Sequence, residues 1–242
     1  MLAAVLVLAF VSQDLTPERV IPLEGNAHHV QGILVDGSSL YLTSVDRENR
    51  TGYLFEYSLA TGQRVRAVEI QDGERFHPGG FDASATSLWI PVAEYRRNSS
   101  AVIQKRNRKT FALESSFLAK DHIGCVAVAK NQLYAGNWDA REVYEYTFDG
   151  REIRKRDNPS QVRFQDMKFR RSRLIASGLT SGPGVVEFLH PDTLASLFRL
   201  EFGKTDRGVV YTHEGMDFDG ERLYFVPEDA PSRLFIFRIP SR

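Results

Sequence analysis

The 242-residue sequence has a single cysteine, Cys125, so neither an intramolecular disulfide nor a cysteine-based metal cluster can form. Its 31 basic and 31 acidic side chains cancel, which removes any global electrostatic drive toward nucleic acid. Two local basic runs, Lys105-Arg106-Asn107-Arg108-Lys109 and Arg170-Arg171-Ser172-Arg173, fall at expected hairpin turns and read as solvated surface. No Gly/Ser- or Pro-rich linker divides the chain, and no stretch sustains a helical period. The apolar opening run, residues 1–12, is too short to span a bilayer as a helix. It matches the apolar core of a secretory signal, although no Lys or Arg precedes it and no Ala-x-Ala site ends it. The expected organisation is a signal peptide over 1–13 and one domain over 14–242, with the mature protein secreted or periplasmic.

What the sequence does hold is a repeat. Its first copy covers residues 28–42: a histidine-bearing loop, the apolar run Gly32-Ile33-Leu34-Val35, the turn Asp36-Gly37, and a second strand from Leu40. A continuous apolar run suits a strand buried on both faces, and Asp-Gly is a hairpin signal. Related units begin near His77, His122, Arg163 and His213, at steps of 48, 45, 41 and 50 residues. In the first unit, strands are expected at 32–35, 40–44, 52–57 and 64–70. Four antiparallel strands in a period of this length is the pattern of a propeller blade. The second unit places its innermost strand at Gly80-Phe81. The fifth unit supplies only three strands, and the isolated strand at 18–24 resembles Gln63-Arg64-Val65, the fourth strand of unit one. The expected fold is therefore all-β: a five-bladed β-propeller of four-stranded blades, closed by strand 18–24 joining the last blade, which leaves no open sheet edges.

The units align on the leucine that opens the second strand: Leu40, Leu88, Leu133, Leu174 and Leu223. Eleven residues before it stand His29, His77, His122, Arg163 and Thr212, the last followed directly by His213. Nine residues before it stand Gln31, Gly79, Gly124, Gln165 and Glu214. Six residues after it, four units place a carboxylate: Asp46, Glu94, Asp139 and Asp229. The start of one hairpin strand lies beside the end of the next. Each histidine is thus expected next to its own blade's acid: His28 or His29 by Asp46, His77 by Glu94, His122 by Asp139. In a propeller these loops crowd the axis at one end of the ring. Imidazole is both a transition-metal ligand and a neutral-pH acid–base group, oriented by a neighbouring carboxylate.

The candidate catalytic or metal-binding residues are accordingly His29, His77, His122 and His213, with Glu214 as a further catalytic candidate. Gln31, Asp46, Glu94, Trp138, Asp139, Arg163, Gln165 and Asp229 are candidates for binding a ligand, Arg163 as an anion clamp and Trp138 as a stacking surface. The cofactor expectation is a divalent metal of unspecified identity. Histidine with carboxylate suits zinc, iron or manganese better than calcium. Cys125 reads as a small buried residue.

Gln31-Gly32-Ile33, Asp36-Gly37, Leu40-Tyr41 and Ala60-Thr61-Gly62 together resemble the opening blade of the plant- and bacterial-type glutaminyl cyclases, which are secreted five-bladed propellers. The resemblance is strongest over residues 29–70 and implies the fold. That family follows its Leu-Tyr with a catalytic Glu, and here the position is Leu42. The family's Gly-Glu-Gly before the second blade reads His77-Pro78-Gly79-Gly80. The fold is carried over and the activity is not. His77-Pro78-Gly79-Gly80 and His213-Glu214-Gly215-Met216-Asp217-Phe218 also resemble a bacterial family of secreted propellers without assigned function. Five-bladed glycosidases need carboxylates where this chain has histidines, which disfavours that activity. Three functions stay open: a monomeric propeller binding a small polar ligand on the axis, an enzyme (hydrolase, lyase or acyl transferase) with an axial histidine as base, or an interaction scaffold.

Overall fold

The computed structural model describes residues 10–11 and 15–239. The expected signal peptide lies outside the described residues, apart from the backbone of Phe10–Val11, which runs parallel to Arg199 and Leu200 at the edge of blade 4.

Five antiparallel sheets surround one axis, forming a five-bladed β-propeller. Blade 1 runs His29–Asp36, Ser39–Asp46, Thr51–Ser58 and Arg64–Glu69 from the axis outward. The second, third and fourth strands of blade 2 are Ser87–Glu94, Ala101–Asn107 and Leu113–Ala119. Blade 3 is Ile123–Val128, Leu133–Asn137, Glu142–Tyr146 and Glu152–Asp157. Blade 4 is Arg163–Arg170, Arg173–Leu179, Gly184–Leu189 and Ser196–Phe202. Blade 5 is Glu214–Phe218, Arg222–Pro227 and Arg233–Arg238, completed by Arg19–Pro22. That strand pairs antiparallel with Arg233–Arg238, Arg19 opposite Ile236, so the ring closes as the strand count requires. Helical structure among the described residues is a single turn, Trp138–Ala140. No helix among them is long and apolar enough to cross a membrane.

The burial pattern explains why these segments are strands. All five aligned leucines are fully buried. Ile33, Leu40, Leu42 and Phe55 of blade 1 pack on Val226, Leu234 and Ile236 of blade 5, and the other blade contacts follow suit. Leu42, which stands where a glutaminyl cyclase carries its catalytic Glu, is sealed in that inter-blade core. The outermost strand of blade 1 is largely exposed and carries Arg64, Arg66 and Glu69, charges that discourage pairing with another chain.

Blade 2 departs from the expected strand at Gly80-Phe81. Its inner position is split into Arg75–Pro78 and Asp82–Ala83. Between them the chain leaves its own sheet and bonds blade 3: Gly80 N donates to Gly124 O at 2.9 Å, and Val126 N to Gly80 O at 2.9 Å. Only glycine permits this approach, because a Cβ on Gly79 would collide with the Gly124 carbonyl and one on Gly32 would lie 2.6 Å from Gly80 Cα.

Where inner strands meet, their outward N–H groups need acceptors out of reach of water. Three fully or nearly fully buried aspartates supply them. Asp82 accepts from Val128 N at 2.9 Å and Phe169 N at 3.1 Å. Asp166 accepts from Ile33 N and Met216 N, each at 3.1 Å. Asp217 accepts from Val35 N at 2.7 Å. Lys168 Nζ lies 2.5 Å from Asp166 Oδ1, and both side chains are inaccessible to solvent. Arg170 bridges Asp82 at 2.8 Å and Asp217 at 3.1 Å. The basic run at 170–173 is therefore not wholly a solvated turn, because its first arginine points inward to a charge network. Burial pulls the Arg170 guanidinium's pKa down, but its two carboxylates outweigh that and raise it. Burial pushes Asp166 up to about 7 against the pull of Lys168.

Asp166→Ala strips Lys168 of its partner and leaves two inner-strand N–H groups dry. A loss of about 3–5 kcal/mol is expected on the scale of broken buried ion pairs. Urea denaturation checks this, and a loss below about 1 kcal/mol would show that the carboxylate is not holding the axis.

Candidate functional site

The histidine-bearing ends of the inner strands surround a cavity of about 430 Å³ on the ring axis. Every blade contributes to it. Blade 1 gives His29, Gln31 and Arg47, blade 2 gives His77 and Tyr95, and blade 3 gives His122, Gly124 and Trp138. Asp139 also borders it, Gln165 and Phe164 come from blade 4, and blade 5 supplies His213, Glu214 and Glu228. The inner strands of blades 1, 3 and 4 each slip register at one residue: Gln31, Gly124 and Gln165. These bulge positions all line the cavity, in keeping with the use of bulges to re-aim side chains beside functional sites.

The expected partnership of each histidine with its own blade's acid holds for one residue only. His28 Nδ1 lies 3.5 Å from Asp46 Oδ2, with the ring stacked on Tyr53. The three cavity histidines of blades 1–3 reach back to the preceding blade instead. His77 Nε2 donates to Gln31 Oε1 of blade 1 at 2.8 Å. His122 Nδ1 donates to the Arg96 carbonyl of blade 2 at 3.0 Å. His29 Nδ1 pairs with Glu228 of blade 5. Hairpin geometry had put the right backbones side by side, His29 opposite Val45 and His77 opposite Ala93. The chain turns at those strand ends, and residues just past them, Arg47, Tyr95 and Glu228, reach the cavity while Asp46, Glu94 and Asp229 do not.

The aligned carboxylates mostly have structural partners elsewhere. Asp46 caps its own turn through Glu48 N and Asn49 N, both at 3.1 Å. Glu94 accepts from Ser100 Oγ at 3.0 Å and pairs with Arg96 at 2.7 Å. Asp229, 1% exposed, accepts from Arg233 Nε at 2.8 Å. None of these three lines the cavity. Asp139 does, and it pairs with Arg97 at 3.0 Å. Arg163 is exposed outside the lining, where its charge opposes protonation of His213. Four lining residues escaped the sequence reading: Arg47, Tyr95, Phe164 and Glu228. Arg47, Tyr95 and Glu228 are each the immediate neighbour of an aligned acid, and Phe164 lies between the aligned Arg163 and Gln165, so the signal was present one residue away.

The cavity has two chemical halves. On one wall the rings of His77, His122, Tyr95 and Trp138 pack together, with centroids 4.4 Å apart for His77–Tyr95 and 4.5 Å for His122–Trp138. Burial holds both imidazoles below the usual histidine range, His77 well below it, with His122, His29 and Arg47 adding to the effect on His77. Because Gln31 Oε1 can only accept, His77 carries its proton on Nε2 and keeps a lone pair on Nδ1. That Nδ1 is sealed from solvent and has no hydrogen-bond partner. Arg47 lies over the Tyr95 ring at 5.2 Å.

The other half is acidic. His213 Nε2 lies 3.1 Å from Glu214 Oε1, and this bond raises the His213 pKa against the effect of burial. The four histidines expected to share a metal do not form one ligand set. Among the described residues, His29, Glu214 and Glu228 are the metal-competent group, each offering one donor atom within 4.8 Å of the others. Cys125 is buried and free, and burial pushes its thiol up to about 12, which leaves it inert. A larger groove of about 920 Å³ opens at the opposite end of the ring, beside Arg171, Arg173 and Phe218. No acid–base or metal-ligating convergence accompanies it among the described residues.

The chain belongs to a family of unknown function, DUF6454, whose model matches residues 12–171. No curated protein matches it. In three dimensions it is similar to the glutaminyl cyclase of Myxococcus xanthus, with a TM-score of 0.70 at 13% identity over 92% of this chain and 94% of that one. It is also similar to the Pan2 WD40 domain of Neurospora crassa, with a TM-score of 0.53 at 11% identity over 90% of this chain and 64% of that one. At these identities the likeness is one of fold.

The low His122 pKa makes stability depend on pH. The unfolded chain binds a proton near pH 6.5 that the folded ring resists, so stability is full above that pH and falls as pH drops below it. The loss is at most about 1.4 kcal/mol per pH unit for this ring. His122→Asn, which keeps a donor for the Arg96 carbonyl, is expected to flatten the pH 7 to pH 5 profile of urea midpoints. An unchanged slope would mean that His122 is not held neutral.

Proposed function

We propose that the axial cavity binds a small polar ligand, and that the histidine-bearing end of the ring is the working face of the protein. The observation that carries this reading is the convergence of side chains from all five blades on one cavity, with polar groups left over after the blades have closed. His77 Nδ1 is an acceptor without a donor, and Gln165 has a single weak internal bond, to the Arg163 carbonyl at 3.5 Å. Pockets of this kind fix a ligand with a few placed polar groups set against apolar walls. Trp138 and Tyr95 give one wall an aromatic character, with Arg97 and Arg47 over their rings, and the acidic half provides acceptors. The fitting ligand therefore has hydroxyl or amino donors and one face able to lie on an aromatic ring. The reading takes the protein to act as a monomer on a small molecule, not on nucleic acid. It places the mature chain outside the cytoplasm on the strength of the apolar run at 1–12 alone.

A second reading, an enzyme, has its own support. His77 touches no carboxylate, lines the cavity and is kept neutral, so it carries a lone pair throughout the physiological range, on an Nδ1 that a turn of the ring would have to bring into the cavity. The glutaminyl cyclase of the structural comparison gives no independent support for that activity here, because Leu42 lies in the core.

A thermal-shift panel of amino acids, polyols, monosaccharides and small carboxylates, run in parallel with EDTA and with Zn²⁺, tests the first reading. At a hundredfold excess over Kd a true ligand stabilises by about 2.7 kcal/mol. This shift should be lost in Trp138→Ala and Gln165→Ala. A panel that stabilises the wild type and both variants equally would remove the cavity from consideration. For the second reading, His77→Gln should abolish turnover of a stabilising compound while leaving its shift in place.

A further inference from the structure

We propose that His29, Glu214 and Glu228 form a three-ligand site for a divalent transition ion, and that this ion anchors the ligand of the axial cavity; the second clause rests on the binding role argued above. The three donors come from blades 1 and 5, which are adjacent in the closed ring, and their ligand atoms all fall within 4.8 Å of one another. One imidazole nitrogen with two carboxylate oxygens favours zinc, manganese or iron over calcium, which prefers oxygen alone. Three protein ligands leave coordination positions open, the arrangement of sites that bind or transform a further molecule.

Two independent features point the same way. Glu214 is a non-glycine residue at φ 102°, a left-handed backbone that costs free energy and recurs where a side chain is held for function. Its carboxylate is buried and oriented from behind by His213, at 3.1 Å from Oε1, the way outer histidines and carboxylates fix metal ligands. His77 lines the same cavity and its Nδ1 has no hydrogen-bond partner, so the polar groups beside the three donors are not all spent on holding the blades together. The contact between His29 Nδ1 and Glu228 lies among the three donors, so an ion bound there replaces it.

The test uses the full chain stripped with EDTA and dialysed, titrated with Co²⁺ and, separately, Zn²⁺. The expected result is a visible d–d absorption band saturating at one Co²⁺ per chain, displaced by Zn²⁺, with Zn²⁺ raising the unfolding temperature. Glu228→Gln, at a half-exposed position where folding is undemanding, and His29→Ala should each weaken Co²⁺ binding by about tenfold or more. Glu48→Gln, an exposed carboxylate at the same end of the ring, should leave it unchanged. Absence of the band, or equal affinity in Glu228→Gln and wild type, overturns the site and leaves His29–Glu228 as a plain link between blades. The two arms of the thermal-shift panel keep the proposals separate: a shift that needs Zn²⁺ upholds both, an equal shift in EDTA upholds the binding cavity and refutes the ion as its anchor, and no shift in either arm refutes the binding cavity while the Co²⁺ titration still decides the site.

Discussion

The ring depends on how five inner strands share one axis without stranding their polar backbone. Asp82, Asp166 and Asp217 resolve that constraint by accepting N–H groups from the inner strands of other blades: Asp82 from blades 3 and 4, Asp166 from blades 1 and 5, Asp217 from blade 1. Lys168 pairs with Asp166 and Arg170 bridges Asp82 and Asp217, both cations coming from the inner strand of blade 4. Buried ion pairs contribute little net stability against an apolar replacement. Their value here lies in register, because each acceptor fixes the height of one inner strand against another. The apolar clusters between blades hold the sheets together but could tolerate sliding. The aspartates do not.

That fixed register is what makes the cavity above it specific. Inner strands that start at defined heights deliver His29, His77, His122 and Glu214 to the same end of the ring. The histidines then span the seams: blade 2 to blade 1, blade 3 to blade 2, blade 1 to blade 5. Structure and chemistry are thus not separable at this face. A ligand that competes for His29 or His77 acts on a bond between two blades.

The architecture was legible because it repeats. The aligned leucines, the Asp-Gly turns and the missing fourth strand of the last unit together imply a closed five-bladed ring. The cavity was partly legible. Residues eleven and nine positions before the leucine line it in most blades, since they sit on short strands of conserved geometry within the chain. Of the acids six positions after it, Asp139 lines the cavity, whereas Asp46, Glu94 and Asp229 do not and their neighbours past the strand ends do: Glu228 enters the cavity and Asp229 turns into the core. Partnerships between blades were out of reach of the alignment, which compares each unit only with copies of itself. The axial network left a visible trace, the Asp166-Met167-Lys168 interruption of a strand expected to be apolar. Its meaning needs the neighbouring strands.

The closing strand has a consequence for how the ring is made. Arg19–Pro22 completes the sheet whose other strands are the last of the ring, so Arg19 cannot meet Ile236 until four blades and three strands have been threaded between them. Such distant pairing is slow to form, and an unlatched fifth blade exposes strand edges while it waits. The seam between blades 5 and 1 is therefore the joint that the greatest separation in sequence has to bridge. His29 and Glu228 meet across that seam, so the acidic half of the cavity depends on the same long-range closure as the ring itself.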